Sequence, residues 1–303
     1  MTRPRILLTG GSGQVGWELR RTLAPLGEVI APRRDALDLS RPESLRNAVR
    51  QVAPALVVNA GAYTAVDAAE GDADLARRVN AEAPGVLAQE AAACGALIVH
   101  FSTDYVFDGR NSLPYKESDA TGPASVYGST KLDGERAVAA AGGPHLIFRT
   151  GWVYGLRGKN FLRTMLRLAR ERDELRVVDD QHGAPTWSRM LAEATAGGLA
   201  SIRSVDGFSI EPGRWGVYHA TAAGETTWCR FAAAILEADP ARHEQRCGAP
   251  SPIATADYPT PATRPRYSVL DNGRLARELG IVLPAWETQL EMCMDDRAAA
   301  FAP

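Results

Sequence analysis

Lysine is almost missing from this chain. Of 34 lysine and arginine residues, only Lys116, Lys131 and Lys159 are lysine, so a position that keeps an ammonium instead of a guanidinium calls for a chemical reason. Cysteine is also scarce. Cys94, Cys229, Cys247 and Cys293 lie far apart with no Cys-x-x-Cys pair, which argues against a zinc site and against a disulfide framework. The five histidines are scattered without ligand spacing, and no metal is expected. No run approaches the ~18 apolar residues of a membrane span, and the N-terminus "MTRPRILLTGGSG" enters a strand pattern with no leader-like apolar segment. A net charge of −2 supplies no field for nucleic acid or an anionic membrane. Hydrophobic content of 45% and charged content of 23% fit a soluble globular protein, with the cytoplasm as the expected location.

What is present alternates. "RILLT" (5–9), "EVIA" (28–31), "ALVVN" (55–59), "LIVHF" (97–101) and "HLIFR" (145–149) read as strands covered on both faces. Helical stretches such as "QVGWELRRTLAPL" and "DLARRVNAEAPGVLAQEAAACG" separate them. This order predicts an α/β fold with a doubly wound parallel, Rossmann-type sheet. A smaller C-terminal substrate-binding α/β region is expected to complete it. The division expected is a dinucleotide-binding domain over 1–152 to which about 176–235 returns, with about 153–175 and 236–303 binding substrate. Thr226 or Thr227 should cap a helix beginning "WCRFAAAILEA". The stretch "APSPIATADYPTPATRPRYSVLD" is too rich in proline for a helix and is read as an ordered loop over a site.

"TGGSGQVG" sets Gly10, Gly11, Ser12, Gly13, Gln14, Val15 and Gly16 between the first strand and the first helix. Two glycine registers fit, beginning at Gly10 or at Gly11. Either lets a pyrophosphate reach backbone N–H groups at a helix N-terminus. No Lys-Ser/Thr follows, which excludes a Walker-type loop. The second strand ends in "VIAPRRD", where an acid would favour NAD. Arg33 and Arg34 there suit a 2′-phosphate and favour NADPH. Asp38 can accept from an adenine amino group or serve an ordinary turn.

Tyr127 and Lys131 stand four apart in "VYGSTKLDGE", on one face of a helix. With eight tyrosines and three lysines in 303 residues, roughly 0.08 such pairs are expected by chance. A tyrosine pKa near ~10 is too high for proton exchange at neutral pH, and a neighbouring ammonium is expected to pull it down. Ser102 and Thr103 follow the fourth strand directly, where a doubly wound sheet meets its ligands. Trp152 offers a flat indole to an apolar sugar face. Arg264, in the proline-rich loop, can pair with a diphosphate.

Together, "TGGSGQVG", "VVNAGAYTAVDAAE", "FSTDYVFDG", "VYGSTKLDGE", "FRTGWVYG", "DQHGAPT" and "YPTPATRPRYSVLD" resemble the dTDP-4-dehydrorhamnose reductases, extended short-chain dehydrogenase/reductases. The resemblance implies NADPH-dependent reduction, with NADH possible, of the 4-keto group of dTDP-6-deoxy-L-lyxo-4-hexulose to dTDP-L-rhamnose. It implies that Tyr127 protonates the C4 alkoxide, that Lys131 also holds the nicotinamide ribose, and that Thr103 hydrogen-bonds the substrate oxygen. By the same resemblance Gly13, Gln14 and Val15 meet the pyrophosphate, and Asp38 and Leu39 flank adenine. Ala62, Tyr63 and Thr64 line the cofactor, while Asp104, Tyr105 and Trp152 surround the sugar.

Two departures stand out. Arg33 replaces the acid of NADH-competent relatives. Arg189 in "WSRML" stands where some relatives carry glutamates for a magnesium-bridged dimer, so no metal is predicted and monomer and homodimer stay open. The alternatives are a related sugar-nucleotide epimerase and a non-catalytic regulatory subunit on the reductase-like fold. A dehydratase would carry Asp-Glu after the strand-four threonine, whereas Thr103 is followed by Asp104 and Tyr105.

Overall fold

The computed structural model describes residues 3–204 and 207–300. Six parallel strands form the central sheet: β1 (Arg5–Thr9), β2 (Glu28–Ile30), β3 (Leu56–Asn59), β4 (Leu97–Thr103), β5 (His145–Thr150) and β6 (Gly216–His219). Their spatial order is β6-β5-β4-β3-β1-β2. The first five are the strands expected from the apolar runs, although β2 is an edge strand with an exposed Glu28 and half-buried Val29 and Ile30, not one covered on both faces; the sixth lies beyond residue 200 and extends the same sheet beside β5.

Side chains alternate across a strand with period two, and this builds two cores. Ile6, Leu8, Leu56, Val58, Leu97, Val99, Leu146 and Phe148 point to one face, where they meet Leu19 and Leu23 and the helix Ser188–Ser201. Leu7, Val57, Ile98 and Ile147 point to the other, against Leu45, Val49, Leu87 and Val138. Burying each such side chain contributes about 1.5–3 kcal/mol, so neither face can be left open. A third core joins Leu162, Leu166, Phe231, Ile235 and Leu290, from the helices Phe161–Glu171, Trp228–Glu237 and Trp286–Ala300. Thr227 caps the second of these, its hydroxyl accepting from Arg230 N at 3.2 Å. Among the described residues no helix is long and apolar enough to cross a membrane.

Two helices position the site. α1 (Gln14–Thr22) leaves β1 through the glycine turn. It is shorter than the pattern of 14–26 predicts, since Pro25 cannot continue a helix. α2 (Val126–Ala140) starts at Ser125, whose hydroxyl accepts from Gly128 N at 3.2 Å. The long helical pattern over 74–95 contains a π-helical turn, Arg78–Glu82. There Asn80 is buried and grips both Tyr63 N (2.8 Å) and Tyr63 O (3.0 Å).

Candidate active site

β1 pairs with β2 on one side and β3 on the other, so the chain leaves the sheet in opposite directions at its centre. A crevice at the carboxyl ends is the geometric result, and a cleft of about 840 Å³ lies there. Gly10 takes φ +66°, and a Cβ on it would fall 2.5 Å from Gly61 N. A Cβ on Gly16 would fall 2.1 Å from Gly10 O. The register beginning at Gly10 therefore describes the turn. Gly13 caps α1 without any side-chain hydrogen bond, which leaves the first N–H groups of the helix to a ligand anion.

The cleft runs from this turn to the end of β4. Gly10, Gly11, Ser12, Gly13, Gln14, Val15, Arg34, Asp38, Leu39, Ala62, Tyr63 and Thr64 line one end; Ser102, Thr103, Asp104, Tyr105, Tyr127, Lys131 and Trp152 line the other. Tyr127 packs edge-on against Tyr105, ring centroids 5.8 Å apart. α2 comes this close because Gly128 sits where a Cβ would be 2.2 Å from Tyr105 O.

The electrostatics differ from the sequence expectation. Loss of water pushes the Tyr127 phenol up to about 12; the Thr103 hydroxyl pulls it back and the Asp104 carboxylate adds to the rise. Lys131 does not lower it. Its ammonium is drawn instead to the floor of the cleft, donating to Phe101 O at 2.6 Å and lying 3.4 Å from His100 Nε2. Burial lowers Lys131 to about 8, against the opposing charge of Glu135. Asp104 is raised to about 6 by burial, in spite of the hydrogen bond its Oδ1 accepts from Thr103 Oγ1 at 3.0 Å. A phenol that stays protonated through neutral pH begins a reduction as the proton donor.

The family model described as RmlD substrate binding domain matches residues 4–299. The dTDP-4-dehydrorhamnose reductase of Burkholderia thailandensis is 52% identical over 298 residues, covering 96% of this chain and 98% of that protein. The chain belongs to the dTDP-4-dehydrorhamnose reductase family. Two solved members of this reductase family superpose closely. That of Clostridium acetobutylicum gives a TM-score of 0.87 at 36% identity, covering 97% of this chain and 99% of its own. That of Bacillus anthracis, in complex with NADP, gives 0.87 at 31% identity, covering 97% and 100%.

Measured against this reductase framework, several expected residues stand elsewhere or are engaged otherwise. Arg33 does not line the cleft, while Arg34 does; Arg33 O closes the turn by accepting from Ala36 N and Leu37 N. Arg264 also lies outside the lining, its guanidinium bound through two nitrogens to Asp67 (3.0 and 2.7 Å) and to Thr260 Oγ1 (2.6 Å). It ties the proline-rich loop to the segment after β3. Asp38 faces the cleft, yet its Oδ1 accepts from Ser40 N and Ser40 Oγ, an Asx-type turn that lowers its carboxyl. Ser102 gives its proton to Glu135 Oε1 at 2.5 Å. Arg189 pairs with Asp296 and Glu18.

Other contributors lie outside the sequence prediction. Trp228 stacks on Trp152 in the cleft with centroids 3.4 Å apart and planes at 4°, and its indole N–H donates to Gln181 Oε1 at 3.2 Å. Trp152 holds φ +48°, an unusual backbone for a bulky residue. Asn160 donates to Gln14 Oε1 at 2.8 Å and joins the lining beside Lys159. His100 lies beside Lys131, and the buried Glu135–Arg149 pair meets Ser102. A histidine inside the otherwise apolar "LIVHF" was the one visible signal for the first.

Proposed function

We propose that this chain reduces the 4-keto group of dTDP-6-deoxy-L-lyxo-4-hexulose to the alcohol of dTDP-L-rhamnose, using NADPH. The observation carrying this is the meeting of Tyr127, Lys131 and Thr103 in one cleft whose far end is an uncapped, side-chain-free helix N-terminus. Those backbone N–H groups suit a pyrophosphate, and Arg34 beside them suits a 2′-phosphate. Bound NADPH supplies the hydride for C4. Tyr127 gives its phenolic proton to the oxygen that gains charge, and Thr103 steadies that oxygen from the strand end. Lys131, on the floor of the cleft, would hold the nicotinamide ribose hydroxyls. Trp152 and Trp228 wall the sugar side, and we assign substrate holding to the third core from which Trp228 projects.

The test is a coupled assay that supplies the ketosugar nucleotide, follows NADPH absorbance and identifies the product sugar. Tyr127→Phe should lower turnover by roughly 10²–10⁴ while NADPH affinity is little changed. Unchanged turnover would remove Tyr127 from the chemistry, and a wild-type enzyme that consumes no NADPH would refute the whole reading.

A further inference from the structure

Below Lys131 lies a chain of buried polar groups whose hydrogen-bond directions can be worked out. Thr9, Asn59 and His100 are all buried, at 0–1% exposure. Thr9 Oγ1 accepts from Gly61 N at 3.4 Å, so its own proton goes to Asn59 Oδ1 at 2.6 Å. This fixes the amide. Turned over, it would bring an N–H to Thr9 Oγ1 and leave the hydroxyl proton without its acceptor, a costly loss at this depth. Asn59 therefore presents Nδ2–H to His100 Nδ1 at 3.0 Å. A nitrogen that accepts carries no proton, so neutral His100 carries its proton on Nε2. That N–H faces Lys131 Nζ at 3.4 Å. Facing an ammonium, the two would be donor against donor. Facing an amine, the ring N–H has an acceptor.

We infer that His100 is a positioning residue of the reduction: locked as the Nε2–H tautomer by Asn59, it donates to the amine form of Lys131 and so favours release of that lysine's proton into the cleft. The ring stays neutral throughout, so no charge is created in the strand. Burial supports this by holding His100 well below its ordinary value. Of the charged groups around Lys131, Glu135 lies one turn on and opposes the effect, but Arg149 of β5 holds it in a two-nitrogen pair. Asp104 and Tyr127 stand at the cleft end, while Thr9 and Asn59, from β1 and β3, are uncharged. The outcome is a lysine that can change charge during turnover.

This rests on the reductase reading but is tested without turnover. Full-length protein carrying ¹⁵N-labelled histidine, saturated with NADP⁺, is studied by long-range ¹H–¹⁵N correlation, with His100 assigned through single variants at the other four histidines. Nε2–H should be found from about pH 6 to pH 9, with the Nε2 resonance moving as Lys131 titrates. Nδ1–H, an imidazolium, or an Nε2 signal that ignores the lysine overturns the proposal. As a kinetic companion, His100→Gln offers Lys131 an acceptor and should move the high-pH limb of kcat upward by about one pH unit, the worth of one hydrogen bond; an unmoved limb refutes the coupling. An inactive enzyme showing the expected tautomer would count against the reductase reading alone.

Discussion

Asp104→Asn should stabilise the fold, and only in part of the pH range. The carboxyl is 2% exposed and is raised from 3.8 to about 6, burial being the leading cause. Between about pH 4 and pH 6 the folded state therefore binds more protons than the unfolded chain, so stability falls as pH rises through that window. Above about pH 6 the penalty is complete, and at 1.36 kcal/mol per pH unit it comes to about 3 kcal/mol. Asparagine keeps the shape, and its carbonyl can still accept from Thr103 Oγ1, which lies 3.0 Å from Asp104 Oδ1. Urea unfolding of wild type and variant from about pH 4 to pH 8 reads the difference. The two curves should meet near pH 4 and separate in favour of the variant to about 3 kcal/mol by pH 7. A gap independent of pH, or a variant less stable at pH 8, would show that the carboxylate is adequately solvated or paired and would refute the reasoning.

Two further predictions use the same kind of geometry. Arg34→Ser should raise the KM for NADPH about tenfold or more, the worth of a charged hydrogen bond, with little change for NADH, whereas Arg33→Ser should leave both unchanged; equal responses of the two arginines would overturn the assignment of Arg34 to the cleft. Arg149→Met strands the buried Glu135 and should cost about 3–5 kcal/mol in urea unfolding, most of it recovered when Glu135→Leu is added. A double variant no more stable than the single one would show that the ion pair is not the cause.

The sheet was legible because its signal is local. Five apolar runs bounded by glycine, proline or asparagine became β1 to β5, and the glycine turn marked which end binds. β6 was not read as a strand, since "WGVYHA" is short, although the stretch of about 176–235 that holds it was expected to return to the dinucleotide-binding domain. In the site, one-dimensional spacing carried Tyr127 and Lys131 together, and strand order carried Thr103. Spacing says nothing about where a flexible side chain ends: the Lys131 ammonium reaches Phe101 O rather than the phenol. Arg33 and Arg34 were indistinguishable until the turn set one inside and one outside. Trp228 meets Trp152 across 76 residues of chain, a contact no periodicity predicts.

The choice of lysine at 131 and arginine at 149 follows from what these two buried positions require. Glu135 and Lys131 project one turn apart from α2 into the same interior, and each meets a different partner. Glu135 receives a guanidinium, which stays charged and binds through a rigid fork; that pairing fixes the carboxylate and leaves it little freedom to hold Lys131. Lys131 receives only a carbonyl and an imidazole, neither of which carries a compensating negative charge. An arginine there would be a permanent charge with five donors to satisfy at 2% exposure. An ammonium has three donors and a pKa that burial can bring into the working range. In this interior arginine suits the pair whose charge is fixed, and lysine suits the position where, on the inference above, the charge changes.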